Sequence, residues 1–452
     1  MENKLLLKIR NQEELSFKEQ VLVVIQLSIP AIMAQLSSTI MHFIDASMVG
    51  QLGANESASI GLVSSATWLM NGAIMAFNIG FSVQIAQRIG AKEDREARNI
   101  FIQAIFSVLI WVLIVMGIGL IISSYLPKWL HADPAIWDRS SGYLRIYCLF
   151  LPCFGLNQLA CSALQSSGNM KLPSYANVCM CFLDVFFNYI FIFKMHMGVY
   201  GAALGTGCAM LTIMIFTLSY ALLKSESLHL RKEKLQFSMR TFTNALKIGI
   251  PVGIEQVIMS GSQIVSTRIV APLGTISMAA HSLAITAEGM CYMPGYGIAS
   301  AATTLIGQSI GAKRKDLLNK FGWLTTGMGM AVMTGMGILL FFLSPLMMGL
   351  LTPDASIQAL GTSVLKIEAF AEMMFAASIV ANGVFRGAGD TFIPSILSFC
   401  SVWLVRLPLA YIFSKTYGLY GVWMAMVIEL WVRGILFLIR LKRNKWQESF
   451  KM

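Results

Sequence analysis

The chain repeats itself. The stretch LSIPAIMAQLSSTIMHFIDASMVGQLG, residues 27–53, is answered by residues 246–274, with Pro30, Gln35 and Gly53 recurring as Pro251, Gln256 and Gly274 at a constant offset of 221. The register continues: Gln87 to Lys92 matches Gln308 to Lys313, Asp133 matches Asp354, Leu144-Arg145-Ile146 matches Leu365-Lys366-Ile367, and Gly168 and Pro173 match Gly389 and Pro394. It slips by one only where Gly198-Val199-Tyr200-Gly201 answers Gly418-Leu419-Tyr420-Gly421. A register held over about 170 residues implies a duplicated structural unit.

What the unit is made of follows from its solvent. Of 452 residues 56% are hydrophobic and 13% charged, and the mean hydropathy of +0.67 is too high for a soluble protein of this length. Apolar stretches of about 20 residues recur, the length a helix needs to cross a bilayer, and none alternates as a membrane barrel strand would. The expected fold is an all-α polytopic membrane protein. Its spans fall near 21–43, 58–80, 100–122, 140–163, 172–193, 198–222, 244–266, 279–301, 321–343, 362–384, 394–414 and 418–439. Twelve spans make two six-helix bundles related by a pseudo-twofold axis along the membrane normal, with a cavity between them.

The expected division is a cytoplasmic N-terminal segment 1–20, an N-terminal lobe 21–222, a basic linker 223–243, a C-terminal lobe 244–440 and a basic tail 441–452. The net charge of +11 is concentrated in the N-terminus, the even-numbered loops, the linker with Arg231, Lys232 and Lys234, and the tail up to Lys451. That asymmetry puts both termini in the cytoplasm of a cell (inner) membrane protein, and it marks lipid rather than nucleic acid as the partner of the charge. All eight cysteines lie in spans, so neither disulfides nor a zinc site is indicated. No cofactor is called for.

Polar residues inside spans are costly and point to function or pairing. Asp45 is the leading one, because its repeat partner is Ser266: the halves share a framework but not this acid. Gln35, Ser38, His42 and Asp45 share one helical face; so do Asn177, Cys181, Asp184 and Asn188. Span 2 adds Ser64, Thr67, Asn71 and Asn78, and span 6 adds Thr206, as cavity lining or as hydrogen-bonding glue between helices. The second half has Glu255, Glu288, Glu368, Glu372 and Glu429. Glu368 and Glu372 could hold a cation together or neutralise Lys366, Glu429 and Arg433 have salt-bridge spacing, and Arg406 reads as structural.

Pro30 with Asp45-Ala-Ser-Met-Val-Gly50, the two QxxGAK loops, Arg386-Gly-Ala-Gly-Asp390 and Phe187-Asn-Tyr-Ile-Phe-Ile-Phe193 together resemble the multidrug and toxic compound extrusion (MATE) family over essentially the whole chain. The resemblance implies a V-shaped transporter, not an enzyme, that exports organic cations in exchange for protons or sodium ions. It implies a coupling-ion role for Asp45, with Asp184, Asn188 and Thr206 as companions and Asp45 and Asp184 as sodium ligands. Members carry the span 5 asparagine before the aspartate; here the order is reversed. Pro30 would be the hinge of an ion-linked bend. Gln35, His42, Asn71, Asn177, Glu255, Glu288, Glu368 and Glu372 then fall to the substrate cavity, whose partners are small molecules, and the chain is expected to act as a monomer. A lipid-linked oligosaccharide flippase of the same superfamily is the alternative transporter. An intramembrane enzyme is the alternative from another class; DDxxD and HExxH are absent, and the one GxSxG spacing, Gly307 to Gly311, overlaps the second repeated QxxGAK loop.

Overall fold

The computed structural model describes residues 4–130, 133–229 and 236–448, and all regular structure among them is helical. Arg231, Lys232 and Lys234 of the expected linker and Lys451 of the tail lie outside the described residues.

Each half supplies six spans. The first six are Phe17–Gly50, Ala54–Gly90, Asp94–Ser123, the pair Trp137–Leu149 and Leu151–Ser166, Lys171–Asn188 prolonged by Tyr189–Lys194, and Gly198–Leu223. The second six are Met239–Val270, Thr275–Gly311, Lys315–Leu351, the pair Ala355–Glu368 and Glu372–Ala388, then Phe392–Cys400 running through Ser401–Arg406 into Leu407–Tyr417, and Leu419–Lys442. The fold is therefore the expected twelve-span all-α membrane architecture. Among the described residues nine helices are long and apolar enough to cross a membrane, and the bent fourth span makes a tenth. Span 10 falls short because it is broken into helices of 14 and 17 residues, and span 8 because Glu288 stands among many small and hydroxyl-bearing residues.

Several helices outrun the expected spans. Phe17–Gly50 has 34 residues, about 50 Å at 1.5 Å per residue against a hydrocarbon core of about 30 Å. Its start is fixed by a capping box: Ser16 Oγ accepts from the Glu19 N–H (3.3 Å) while the Glu19 carboxylate accepts from the Ser16 N–H (2.9 Å). The duplicated acids are caps as well. Asp133 accepts from the N–H of Ala135, and Asp354 from those of Ser356 and Ile357.

Spans 4 and 10 are broken at matching places. The first bends by 45° at Phe150, where Pro152 opens the following helix and cannot donate to the preceding turn. The second breaks between Glu368 and Glu372, and the indole of Trp431 donates to the freed carbonyl of Phe370 (3.1 Å). Span 11 has a π-helical turn at Ser401–Arg406, just before Pro408, whereas span 5 has its π turn at the very end, Tyr189–Lys194.

The chain forms two compact units, Met1–Glu13 with Met33–Gly253, and Glu14–Ile32 with Ile254–Met452. They do not follow the expected boundaries of 21–222 and 244–440. The first turns of span 1 belong with the second half because Gly297 has no Cβ to collide with the backbone of Ile32, which would lie 2.6 Å away. The start of span 7 belongs with the first half, where Gln84 donates to the Thr241 carbonyl (3.1 Å) and Gln103 to that of Ser238 (2.9 Å). The expected N-terminal segment contains a short helix, Lys4–Arg10, that buries Leu6 and Ile9 and donates from Arg10 to the Ser167 carbonyl (3.0 Å).

Candidate functional site

In the first unit the polar faces of spans 1 and 5 meet. The amide nitrogen of Asn188 donates to Asp45 Oδ1 at 2.9 Å and to Asp184 Oδ2 at 3.0 Å, and the two carboxyl groups also meet each other. Asp184 and Asn188 are 0% and 1% exposed, while Asp45 is half-buried and open on one side. The reversed order along span 5 thus has a simple geometric meaning. One turn of helix separates Asp184 from Asn188, so a single amide can reach back to the first acid and across to Asp45.

The room for that amide comes from span 6. A Cβ on Gly205 would lie 2.1 Å from Asn188 Oδ1, so only glycine leaves the notch that the amide oxygen fills. Asp184 Oδ1 and Asn188 Oδ1 are buried without a hydrogen-bond donor. Two acids held by one neutral amide, with no lysine or arginine among the described residues paired to either, need a proton or a bound cation to balance them. Among the described residues no three His, Cys, Asp or Glu side chains gather as a metal site. A sodium ion would be held by carboxyl oxygens of Asp45 and Asp184, donors of the hard kind that suit it, while the amide oxygen of Asn188 points away from them into the notch at Gly205.

The other expected residues are more scattered. Thr206 is half-buried next to Gly205 and makes no hydrogen bond to a described residue. Gln35 and Asn177 are half-buried and His42 is exposed one turn before Asp45; none of the three side chains is hydrogen-bonded to a described residue. Asn71 is turned to span 4 instead, exchanging hydrogen bonds with the Tyr147 hydroxyl at 2.7 and 2.9 Å. Tyr147 stacks on Tyr143, which packs beside Ile44 and Met48 near the acid pair. Of the other span 2 residues, Ser64 and Thr67 bond their own helix and Asn78 ties to the Gly155 carbonyl (3.3 Å). Sequence reasoning missed Gly205 and Tyr143; neither carries a local signal that separates it from an ordinary small or aromatic span residue. Pro30 lies inside a helix that runs unbroken through it, so the backbone bond it removes is tolerated here without a break.

The second unit holds two polar nodes. Glu255 accepts from Ser395 (3.2 Å) and Asn382 (3.4 Å) and is ion-paired with Arg386 (3.7 Å). It is a compensated charge rather than an open cavity ligand. Glu288, Glu368, Glu372 and Glu429 form one buried electrostatic cluster with Arg406 and Arg433. Arg433 pairs with Glu429 at 3.2 Å, as their spacing predicts, and the Arg406 guanidinium donates to Met426 Sδ. Both oxygens of Glu368 and of Glu372 lack donors, and four acids face two guanidinium groups, so this cluster too requires protons or cations. Lys366 neutralises neither acid: it forms no ion pair and lies over the ring of Phe341.

A duplicated six-span bundle with donor-less carboxyls enclosed among its helices is the make-up of a secondary membrane transporter, not of an enzyme. The comparisons agree. The MatE family model matches residues 30–190 and 251–412, most of both repeats, and the chain belongs to the MatE family. Curated relatives include a probable multidrug resistance protein NorM of Thermotoga maritima, 25% identical over 94% of this chain and 92% of that protein. A protein of the same name from Listeria monocytogenes is 26% identical over 93% and 94%. Among solved structures, a MATE protein in the straight conformation superposes with a TM-score of 0.92 at 21% identity, covering 99% of this chain and 100% of that one. A MOP superfamily transporter from Pyrococcus furiosus gives 0.91 at 20% identity, over 98% of each chain.

Proposed function

We propose that the protein is a multidrug exporter of the cytoplasmic membrane that exchanges protons or sodium ions for amphipathic organic cations, with both termini cytoplasmic. The observation that carries this reading is the Asp45–Asn188–Asp184 bridge. Asp45 reaches the pair from span 1 and Asn188 from span 5, so the same contact that binds the ion also ties two helices together.

Loading the site with a proton or a sodium ion neutralises one carboxyl and strengthens the tie, and emptying it leaves two like charges side by side that push the helices apart. An ion that binds the two arrangements with different affinity shifts their populations without any further device. One charge moving through 100 mV supplies about 2.3 kcal/mol, more than a tenfold concentration step of about 1.4 kcal/mol. Names borne by the relatives support the cargo class, as do the aromatic and methionine side chains of the spans, which adapt to flat hydrophobic cations.

The test uses everted vesicles and a fluorescent organic cation. Asp45→Asn abolishes exchange while expression and membrane insertion stay intact; normal exchange by that variant would overturn the reading. Replacing sodium by choline at fixed pH, with and without an imposed proton gradient, identifies the ion: loss of exchange without sodium assigns sodium, and persistence that collapses with the proton gradient assigns protons.

A further inference from the structure

The repeat places Arg145 and Lys366 at equivalent positions, but their charges are treated differently. In the first unit Arg145 donates to the hydroxyls of Ser124 (2.8 Å) and Ser123 (3.4 Å), where the preceding span ends. At the offset of 221 those serines become Ser344 and Pro345. Ser344 bonds back onto the Phe341 carbonyl (3.2 Å) just as Ser123 does onto that of Leu120 (2.7 Å), so the difference lies at the next position, where proline has no hydroxyl to match that of Ser124. The Lys366 ammonium is therefore left with no hydrogen bond or ion pair to any described residue. Its one polar-type contact is the face of Phe341, 5.6 Å from the ring centroid.

Lys366 stands at the edge of an apolar groove of about 360 Å³ lined by Phe341, Phe370, Met424, Val427 and Ile428. Phe370, Met424 and Ile428 are 67%, 41% and 39% exposed, so the groove opens on the surface that a membrane protein presents to lipid. A cation–π contact recovers only a small part of what an ammonium loses on leaving water. The site therefore has an unmet need for an anion and, beside it, a slot that only an apolar chain fills. An organic cation is repelled by Lys366, and an inorganic anion has no use for the groove.

We propose that this groove binds an anionic phospholipid, one acyl chain lying against Phe370, Met424 and Ile428 and the phosphate taking the place that Ser124 holds against Arg145 in the first unit. The lipid comes from the leaflet on the side of the Thr352–Asp354 loop, since the helix that starts at Ala355 enters the expected span at 362 and carries Lys366 only about one turn, roughly 6 Å, into it. Reaching up along its own stem brings the ammonium to headgroup depth.

The experiment measures lipid retention by native mass spectrometry after transfer of the full protein from mixed phosphatidylglycerol and phosphatidylcholine bilayers into mild detergent. The wild-type protein keeps phosphatidylglycerol in preference to phosphatidylcholine. Lys366→Met lowers that preference about fivefold, since it removes the one charge-assisted contact to the phosphate. Lys366→Arg keeps it, and so does Arg145→Met, whose charge is already satisfied. Pro345→Ser gives Lys366 the hydroxyl that its counterpart has and lowers retention without removing the charge, so the proposal does not depend on the folding of one variant. No preference in the wild-type protein, an unchanged preference in both Lys366→Met and Pro345→Ser, or an equal loss in Arg145→Met overturns it.

Discussion

The two halves of this transporter share a backbone plan and exchange almost none of their chemistry. The positions equivalent to Asp45, Asp184 and Asn188 in the second half are Ser266, Val405 and Leu409, so the Asp45–Asn188–Asp184 bridge has no echo there. Conversely, Glu255, Arg386, Asn382 and Ser395 correspond to Ala34, Gln165, Cys161 and Ser174 in the first half. What survived duplication is the set of features that shape helices: the capping acids Asp133 and Asp354, the matched breaks in spans 4 and 10, and the turns at Gly168 and Gly389. Interior charge was placed afresh in each half, because a buried acid needs partners only its own neighbours can supply.

The sharpest way to break this comparison is to remove chemistry from one half and add it to the other. Asp184→Asn leaves Asp45 facing two amides and eliminates ion-driven exchange in the vesicle assay, whereas Ser266→Asp in the second half leaves exchange within about twofold of wild type. A gain of ion coupling in the Ser266 variant would show the halves to be interchangeable. Next in size is the compensated node. Arg386→Met strands Glu255 and costs about 3 kcal/mol of stability, read as a lowered midpoint of thermal unfolding in detergent. Adding Glu255→Gln to that variant recovers more than half of the loss.

Gly205→Ala comes third. Its methyl group meets Asn188 Oδ1, displaces the amide from both acids, and costs about 1–3 kcal/mol by overpacking, together with exchange activity. The smallest effect concerns the repeated loops after spans 2 and 8, where Glu93 and Arg95 of the first half become Arg314 and Asp316. Arg314 holds the Asp316 carboxyl below its usual range through hydrogen bonds of 2.8 Å, with burial opposing. A depressed carboxylate contributes stability above its unfolded value and loses it as pH falls through its lowered one. Asp316→Asn therefore flattens the acid limb of the stability profile slightly, by less than about 1 kcal/mol for so exposed a pair.

Much of this was legible in the sequence because helices in lipid are written locally. Twelve spans, the duplication and the faces carrying Asp45 and Asp184 all follow from length and spacing. The pairing of Asp45 with Asn188 across 143 positions does not, since periodicity tells which face a residue occupies and not which helix that face meets. Asn71 illustrates the limit: it shares a face with cavity candidates yet is taken by Tyr147. The exchange of helix ends between the two units was equally hidden, because the Cβ that Gly297 lacks matters only once Ile32 is beside it.

A primary amide has two hydrogens, and Asn188 spends both, one on each acid. Its orientation is thereby locked, because turning it over would aim the oxygen at two carboxyl groups and the hydrogens into the notch at Gly205. The group behaves as a fixed compass needle, its hydrogens on the two acids and its oxygen pointing away from them. If the site exchanges an ion as proposed, a change of needle direction rather than of distance is the local sign to look for.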